Sequence, residues 1–472
     1  MSLRDLEKLI LANSEATTAA DALASLGTPS TSIAVLSDGE ISSVCHSTVD
    51  NDDATLFQAC SISKPITALA IMRLVERGEL SLDSTISKLL PADTLAILLE
   101  GSPASQKTLI EGITVAQVMS HTAGLSVHGF GGYSSLDRIP SGTEILRGRA
   151  PVNNLRVRLE LLPGLAFSYS GGGSTVLQII LETLMGKTFP DLMQDLVLKP
   201  LDMNRSFYGP VPDDENNFAS AFLSDSVRAD AAYHLQPEYA AAGLWTTPTD
   251  LLKAIRAVQQ SLAGDGFLKK ATAQEMLTKR MENVGLTWWI SHDNIDFLHS
   301  GSNNPGFRCI VSGFAQLGES PCPPNCGLSV MTNSQEGLAV VGKIVQALCY
   351  LNRWPMATVT GSKIRDTPFW DEEAVLGETW KDYLGDWQSD SNVFQIAESG
   401  GKPVLYYNKL GPIRLLPAAT PGAQNAAGHA IFFVLEGLKL LLKLENKDGQ
   451  DKVTLENGEQ KNAVTLKRTD QP

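Results

Sequence analysis

Cysteine is scarce in this chain of 472 residues, with six at positions 45, 60, 309, 322, 326 and 349. They are too scattered for the disulfide framework of small secreted domains, and none forms the paired C-x-x-C spacing of a zinc site. Cys322-Pro323-Pro324-Asn325-Cys326 has no histidine or second cysteine pair near it, so it reads as a tight turn with two thiols, open to a labile disulfide. Basic charge is also short. The chain has 38 Lys and Arg against 52 Asp and Glu, a net charge of −14, which disfavours nucleic acid or an anionic membrane as a partner. No apolar run of about 18 residues occurs, so no membrane span is expected. The charged start Met1-Ser2-Leu3-Arg4-Asp5-Leu6-Glu7-Lys8 lacks a signal-peptide core, and a cytoplasmic location is the expectation. Both the G-x-S-x-G elbow and H-E-x-x-H are missing, so neither that nucleophile class nor a zincin site is indicated, and no metal or cofactor is expected.

What is present is an ordinary globular composition, 43% hydrophobic and 19% charged, in a chain long enough for two domains. Residues 1–26 read as a helix. Asp38-Gly39 between two alternating runs predicts a hairpin. Helical patterns cover 174–185, 250–262 and 337–350, and strand-like runs recur at 286–290, 295–299, 306–316 and 327–332. Strands near both ends with helices between them suggest an α+β domain over 1–350, one antiparallel sheet flanked by helices plus a helical region. Residues 351–376 read as a linker. Beyond them, 377–472 holds short apolar runs split by Gly, Asn and Asp turns, the pattern of a small all-β barrel or sandwich.

The most informative stretch is Ser61-Ile62-Ser63-Lys64, followed by Pro65 and the apolar run Ile66 to Met72. Residues at i and i+3 share a helix face, so the Lys64 amine can reach the Ser61 hydroxyl. A serine hydroxyl needs a neighbouring base to act as a nucleophile, and a lysine among apolar residues can be that base. The helix start also offers free N–H groups to a developing oxyanion. A second S-x-x-K, Ser399-Gly400-Gly401-Lys402, sits in a Gly-Gly turn between strand-like runs and reads as accidental. Cys60, beside Ser61, reads as a small packing residue.

Three further pieces follow in order. Ser168-Tyr169-Ser170 runs into Gly171-Gly172-Gly173, which can hold a tyrosine hydroxyl in a cleft, although alone it fits a buried tyrosine in a glycine turn. His299-Ser300-Gly301-Ser302 ends a predicted strand, where a substrate could lie along the edge; alone it fits a satisfied histidine. Ser120-His121-Thr122-Ala123-Gly124 closes a capped helix, and His121 reads as a structural anchor.

Together, over roughly residues 30–350, these pieces resemble the penicillin-recognising serine hydrolases: class C β-lactamases, D-aminopeptidases and related carboxylesterases and acyltransferases. Leu74-Val75-Glu76-Arg77-Gly78-Glu79-Leu80-Ser81-Leu82-Asp83 and Ala241-Ala242-Gly243-Leu244-Trp245-Thr246-Thr247-Pro248-Thr249-Asp250 add to the likeness. The C-terminal module resembles the lipocalin-like barrels that trail some members. The resemblance implies a β-lactamase-like fold with Ser61 as the acylated nucleophile. Lys64 and Tyr169 would share the proton transfers, His299 would orient substrate, and the Ser61 and Ser302 N–H groups would form an oxyanion hole.

The chain departs from that family at two positions. Gly171 stands where Y-x-N has asparagine, and His299 where lysine is usual. Both changes favour a neutral ester or amide over a β-lactam. Phe130, Tyr133, Trp245, Trp288 and Phe307 lie near motif segments as candidate pocket walls, with two or three of them expected to face substrate. The expected activity is hydrolysis of small or medium-sized esters, with lactones or amides possible. The rivals are an acyltransferase passing the acyl group to a metabolite alcohol, and a non-catalytic binding or scaffold protein of the same fold. The 126–160 loop or the C-terminal module would cover the cleft. Oligomeric state is not readable.

Overall fold

A computed structural model describes residues 3–12, 14–102, 104–136, 138–224, 227–264, 266–291, 294–318, 323, 325–354, 378–388, 393–407, 410–417, 431–435, 440–447, 450–457 and 464–469. The chain divides into two compact units, Met1–Val345 and Gln346–Pro472. Residues 355–376 of the expected linker, and Cys322 of the expected thiol turn, lie outside the described residues.

The first unit is built on a six-stranded sheet in the order Glu40–Ser47, Ser30–Ser37, Gly327–Thr332, Phe307–Phe314, Asp296–Asn303, Trp289–Ile290. Every neighbouring pair is antiparallel. Sequence-distant strands meet at its centre, where Ile33 faces Val330 and Val35 faces Leu328. The Asp38-Gly39 turn forms as predicted, with Ser37 opposite Glu40 and φ angles of 51° and 85°, the signs a type I′ turn requires. Helix Pro248–Ala263 lies on this sheet, capped by Thr247, whose hydroxyl accepts the Asp250 N–H. It comes so close that a Cβ on Gly313 would stand 2.4 Å from Ile255 Cγ2.

Beside the sheet lies the helical region. Helix Ser63–Glu76 is buried from Ser63 to Met72 and ends at Arg77, with Gly78 at φ 72° beyond it. Pro65 sits in its first turn, where a missing N–H is harmless. One reading is corrected here. Residues 1–26 form two helices, Leu3–Leu11 and Ala19–Ala24, because Thr18 is extended and its hydroxyl caps the second at Asp21 N–H. The strand-like run at 295–299 is longer than expected, extending from Asp296 to Asn303 with Asn303 paired with Phe307, so the His299-Ser300-Gly301-Ser302 motif lies at its end.

The second unit is a closed barrel of eight antiparallel strands between Gly385 and Arg468. Trp387 opposite Arg468, and Gln388 opposite Lys467, join its first strand to its last. Its interior holds Trp387, Ile396, Leu405, Leu442, Leu444 and Val453. Ser399 and Lys402 face each other across a hairpin whose Gly400 and Gly401 both have positive φ, so the second S-x-x-K is a turn.

Candidate active site

Ser61 lies in the tight turn Cys60–Ile62, directly ahead of helix Ser63–Glu76. The Lys64 side chain folds back from the first turn of that helix and its Nζ stands 3.1 Å from Ser61 Oγ. Lys64 is only 3% exposed. It also donates to the Ala241 carbonyl at 2.8 Å. That carbonyl belongs to the short helix Tyr239–Ala242, fastened by Gln178, whose side-chain oxygen accepts the Ala240 N–H at 3.1 Å. Ser63 locks the turn from beneath, donating to the Cys60 carbonyl and accepting the Leu244 N–H.

Tyr169 precedes Ser170, the N-cap of helix Gly171–Met185, whose hydroxyl accepts the Gly173 N–H at 2.8 Å. Lys64 Nζ sits 4.8 Å from the Tyr169 ring centroid. The ring is flanked by imidazoles, with centroids at 4.3 Å for His121, 4.8 Å for His128 and 6.3 Å for His299. Among the described residues the Tyr169 hydroxyl has no protein hydrogen-bond partner. The glycine run serves close approach, since a Cβ on Gly172 would stand 2.6 Å from the Ser126 carbonyl oxygen and one on Gly171 2.9 Å from Phe130.

The His299 strand packs against the Ser61 turn. A Cβ on Gly301 would stand 2.7 Å from the Ala59 carbonyl oxygen, from Cys60 Cβ and from Cys309 Sγ. Asn303 braces the strand by donating to Gln58 Oε1 and to the Ala242 carbonyl. Along the strand His299 is buried, Ser300 and Gly301 are half-buried, and Ser302 is exposed.

His299 Nδ1 lies 2.6 Å from the Ser300 carbonyl, so that nitrogen carries the proton and Nε2 is a lone-pair acceptor. Burial, and then the Lys64 charge, push its pKa down to about 3. His121 is likewise held well below its ordinary value by burial, with Lys64, His299 and His128 adding to the shift. Both rings are therefore neutral at pH 7. Glu238, which opens the Tyr239–Ala242 turn, is fully buried, and burial lifts its pKa to about 7.

The expected aromatic wall is largely corrected. Trp245 is 2% exposed and sits among Phe207, Phe218, Tyr233 and Phe307. Phe307 and Trp288 are fully buried, Trp288 against Phe297. These three complete the core because their positions point inward, and none forms an open wall. Tyr133 is nearly buried beside Ile145 and Val152, with its hydroxyl accepting the Asn153 N–H. Phe130 alone of the five stays half-exposed beside the tyrosine motif. Sequence reasoning missed Trp289, whose ring meets Phe167 at 5.3 Å, and His128 against Tyr169. Trp289 opens the strand Trp289–Ile290 and is half-buried, whereas Trp288 just ahead of it is fully buried.

Residues 16–347 match the family model described as Beta-lactamase. The esterase EstB of Burkholderia gladioli is 29% identical over 249 residues, covering 46% of this chain and 60% of that protein. The lovastatin esterase of Penicillium rubens is 26% identical over 239 residues, covering 47% and 58%. The chain thus spans little more than half the length of these relatives. Among solved structures, the octameric penicillin-binding protein homologue of Pyrococcus abyssi superposes with a TM-score of 0.58 at 20% identity, covering 99% of this chain and 100% of that one. A class C β-lactamase follows the fold with a TM-score of 0.51 at 19% identity, covering 68% of this chain and 91% of its own. With the family model extending over the greater part of its length, the chain belongs to the β-lactamase family.

Proposed function

We propose that the protein is a serine hydrolase that forms an acyl-enzyme on Ser61 and releases it to water, acting on small or medium-sized neutral esters. The observation that carries this is the 3.1 Å approach of Lys64 Nζ to Ser61 Oγ by an amine anchored on the Ala241 carbonyl. In its free-base form the amine at that distance takes the Ser61 proton as Oγ attacks the ester carbonyl. The carbonyl oxygen becomes an oxyanion, received by the Ser61 and Ser302 N–H groups; each such donor is worth roughly 3 kcal/mol to the transition state. Tyr169, whose ring lies beside the Lys64 amine, hands a proton to the departing alkoxide. Water then attacks the acyl-enzyme with Lys64 and Tyr169 in reversed roles, and Ser61 is regenerated.

The preference for a neutral ester rests on the strand motif. His299 is uncharged, so it supplies no cation for a substrate carboxylate, and Gly171 has no side-chain amide for an acylamido arm. The two relatives named as esterases agree with this choice.

The test is intact-mass spectrometry of acid-quenched mixtures of wild type or Ser61→Ala with p-nitrophenyl acetate, p-nitrophenyl butyrate and a cephalosporin. An acyl adduct on wild type alone, strongest with an ester, is expected. An adduct that persists on Ser61→Ala removes the nucleophile assignment. Product formed with an added alcohol in place of water moves the reaction to acyl transfer.

A further inference from the structure

One histidine holds three consecutive residues of the tyrosine motif. The Ser168 N–H donates to the His121 carbonyl at 2.7 Å. The Ser170 N–H donates to His121 Nδ1 at 3.2 Å. Between them the imidazole lies over the Tyr169 ring, centroids 4.3 Å apart and planes 33° apart. Since Nδ1 accepts, the neutral ring carries its proton on Nε2.

His121 is itself fixed. It is 3% exposed, its N–H donates to the Val118 carbonyl, and it holds a left-handed backbone at φ 56°. Histidine tolerates that region better than bulkier residues do. Phe167 meets its ring edge-on at 6.0 Å. The neighbouring turn is fastened to the tyrosine segment as well. The Gly164 N–H donates to the Thr122 carbonyl, and a Cβ on Gly124 would stand 2.1 Å from the Leu161 carbonyl oxygen.

Tyr169 itself lies between the Pro163-Gly164 turn and the capped helix start Gly171 to Gly173, where the Ser170 hydroxyl also donates to the Ser126 carbonyl. The Tyr169 hydroxyl has no protein partner among the described residues to hold the ring. We infer that His121 is the positioning residue of the reaction, setting the backbone and the ring plane of Tyr169 before substrate arrives. This rests on the acyl-enzyme reading, in which Tyr169 carries a proton. His121 takes no part in the chemistry; burial and the Lys64 charge keep it neutral, which leaves Nδ1 free to accept the Ser170 N–H.

Two variants separate its contacts. His121→Ala removes the ring and the acceptor. His121→Asn returns an acceptor at the Nδ1 position and suits positive φ, but lacks the ring. With p-nitrophenyl butyrate, His121→Ala should lower kcat about 10²-fold with little change in KM, the scale expected of a misplaced catalytic group. His121→Asn should lie between it and wild type. In a Tyr169→Phe background, both changes should cost almost nothing more, because the group they position has gone. Equal fold losses in the two backgrounds, or full activity of both variants, overturn the inference. If His121→Ala does not fold, the His121→Asn cycle decides alone. Ser61→Ala run in the same assay keeps the two questions apart: its retained activity sinks the acyl-enzyme reading, whereas its loss beside additive His121 and Tyr169 effects sinks only the positioning role.

Discussion

Gly301 and Cys60 meet without room for a methyl group: a Cβ on Gly301 would stand 2.7 Å from Cys60 Cβ. This contact sets how near the Asp296–Asn303 strand lies to the Ser61 turn. Gly301→Ala must push the two apart. We expect it to cost about 1–3 kcal/mol of stability and to lower kcat/KM more than tenfold. Urea unfolding together with ester kinetics checks both, and wild-type activity in a stably folded Gly301→Ala would remove the spacing argument.

Lys64 gives the sharpest functional test. Lys64→Met keeps an apolar stem in the buried slot but removes the amine that reaches Ser61 and Ala241. Its kcat should fall at least about 10³-fold, like that of Ser61→Ala, and the double variant should be no worse than either alone, since the two residues act as one unit. A strictly multiplicative loss would separate their roles.

The neutral state of His299 makes a prediction about selectivity. Replacing it with lysine puts a cation where the His299-Ser300-Gly301-Ser302 segment now has none. His299→Lys should raise kcat/KM for a carboxylate-bearing β-lactam relative to a neutral ester by about tenfold, equivalent to about 1.4 kcal/mol. An unchanged ratio would mean that a substrate carboxylate does not approach this strand.

Buried titratable groups give stability two opposed pH slopes. His299 has a folded pKa of about 3 against an ordinary 6.5, so the unfolded chain binds its proton first and stability falls as pH drops from 6.5 toward 3. Glu238 is raised from 4.5 to about 7, so the folded chain holds its proton longer and stability falls as pH rises from 4.5 to 7. Glu238→Gln should flatten the second slope and gain on wild type at pH 8 by on the order of 3 kcal/mol. Denaturant midpoints between pH 4 and pH 8 measure this. Parallel curves for variant and wild type would mean that the carboxyl is solvated.

The aromatic assignments are tested by contrast. Phe130→Ala should raise KM while leaving the thermal midpoint nearly unchanged, because its ring is half-exposed beside Gly171. Trp288→Ala, which empties a fully buried site, should cost about 3–5 kcal/mol. The reverse pattern would return Trp288 to the pocket.

Features written in short windows were legible in the chain. Asp38-Gly39 specifies its turn, the apolar run after Lys64 specifies a buried helix, and the i to i+3 spacing brings Lys64 to Ser61. What escaped depends on tertiary neighbours. Nothing near His121 in sequence signals that it will meet residues 168–170, because that contact is made across a loop. The choice between Trp288 and Trp289 turns on where a two-residue strand begins, and that strand is too short for alternation to be read. Aromatics close to motifs in sequence suggest pocket walls, yet the fold places Trp245 and Phe307 in its core.

The residues around Ser61 come from remote parts of the chain: Asn303 reaches Gln58 across 245 positions, and Cys309 reaches Ala59 across 250. Every such contact closes a long loop, so it forms late in folding and at a high entropic cost. Turnover of an ester therefore reports completion of the whole first unit. During refolding, helical signal should return well before activity does, and a nick or truncation anywhere between residues 58 and 309 should abolish turnover before it abolishes secondary structure.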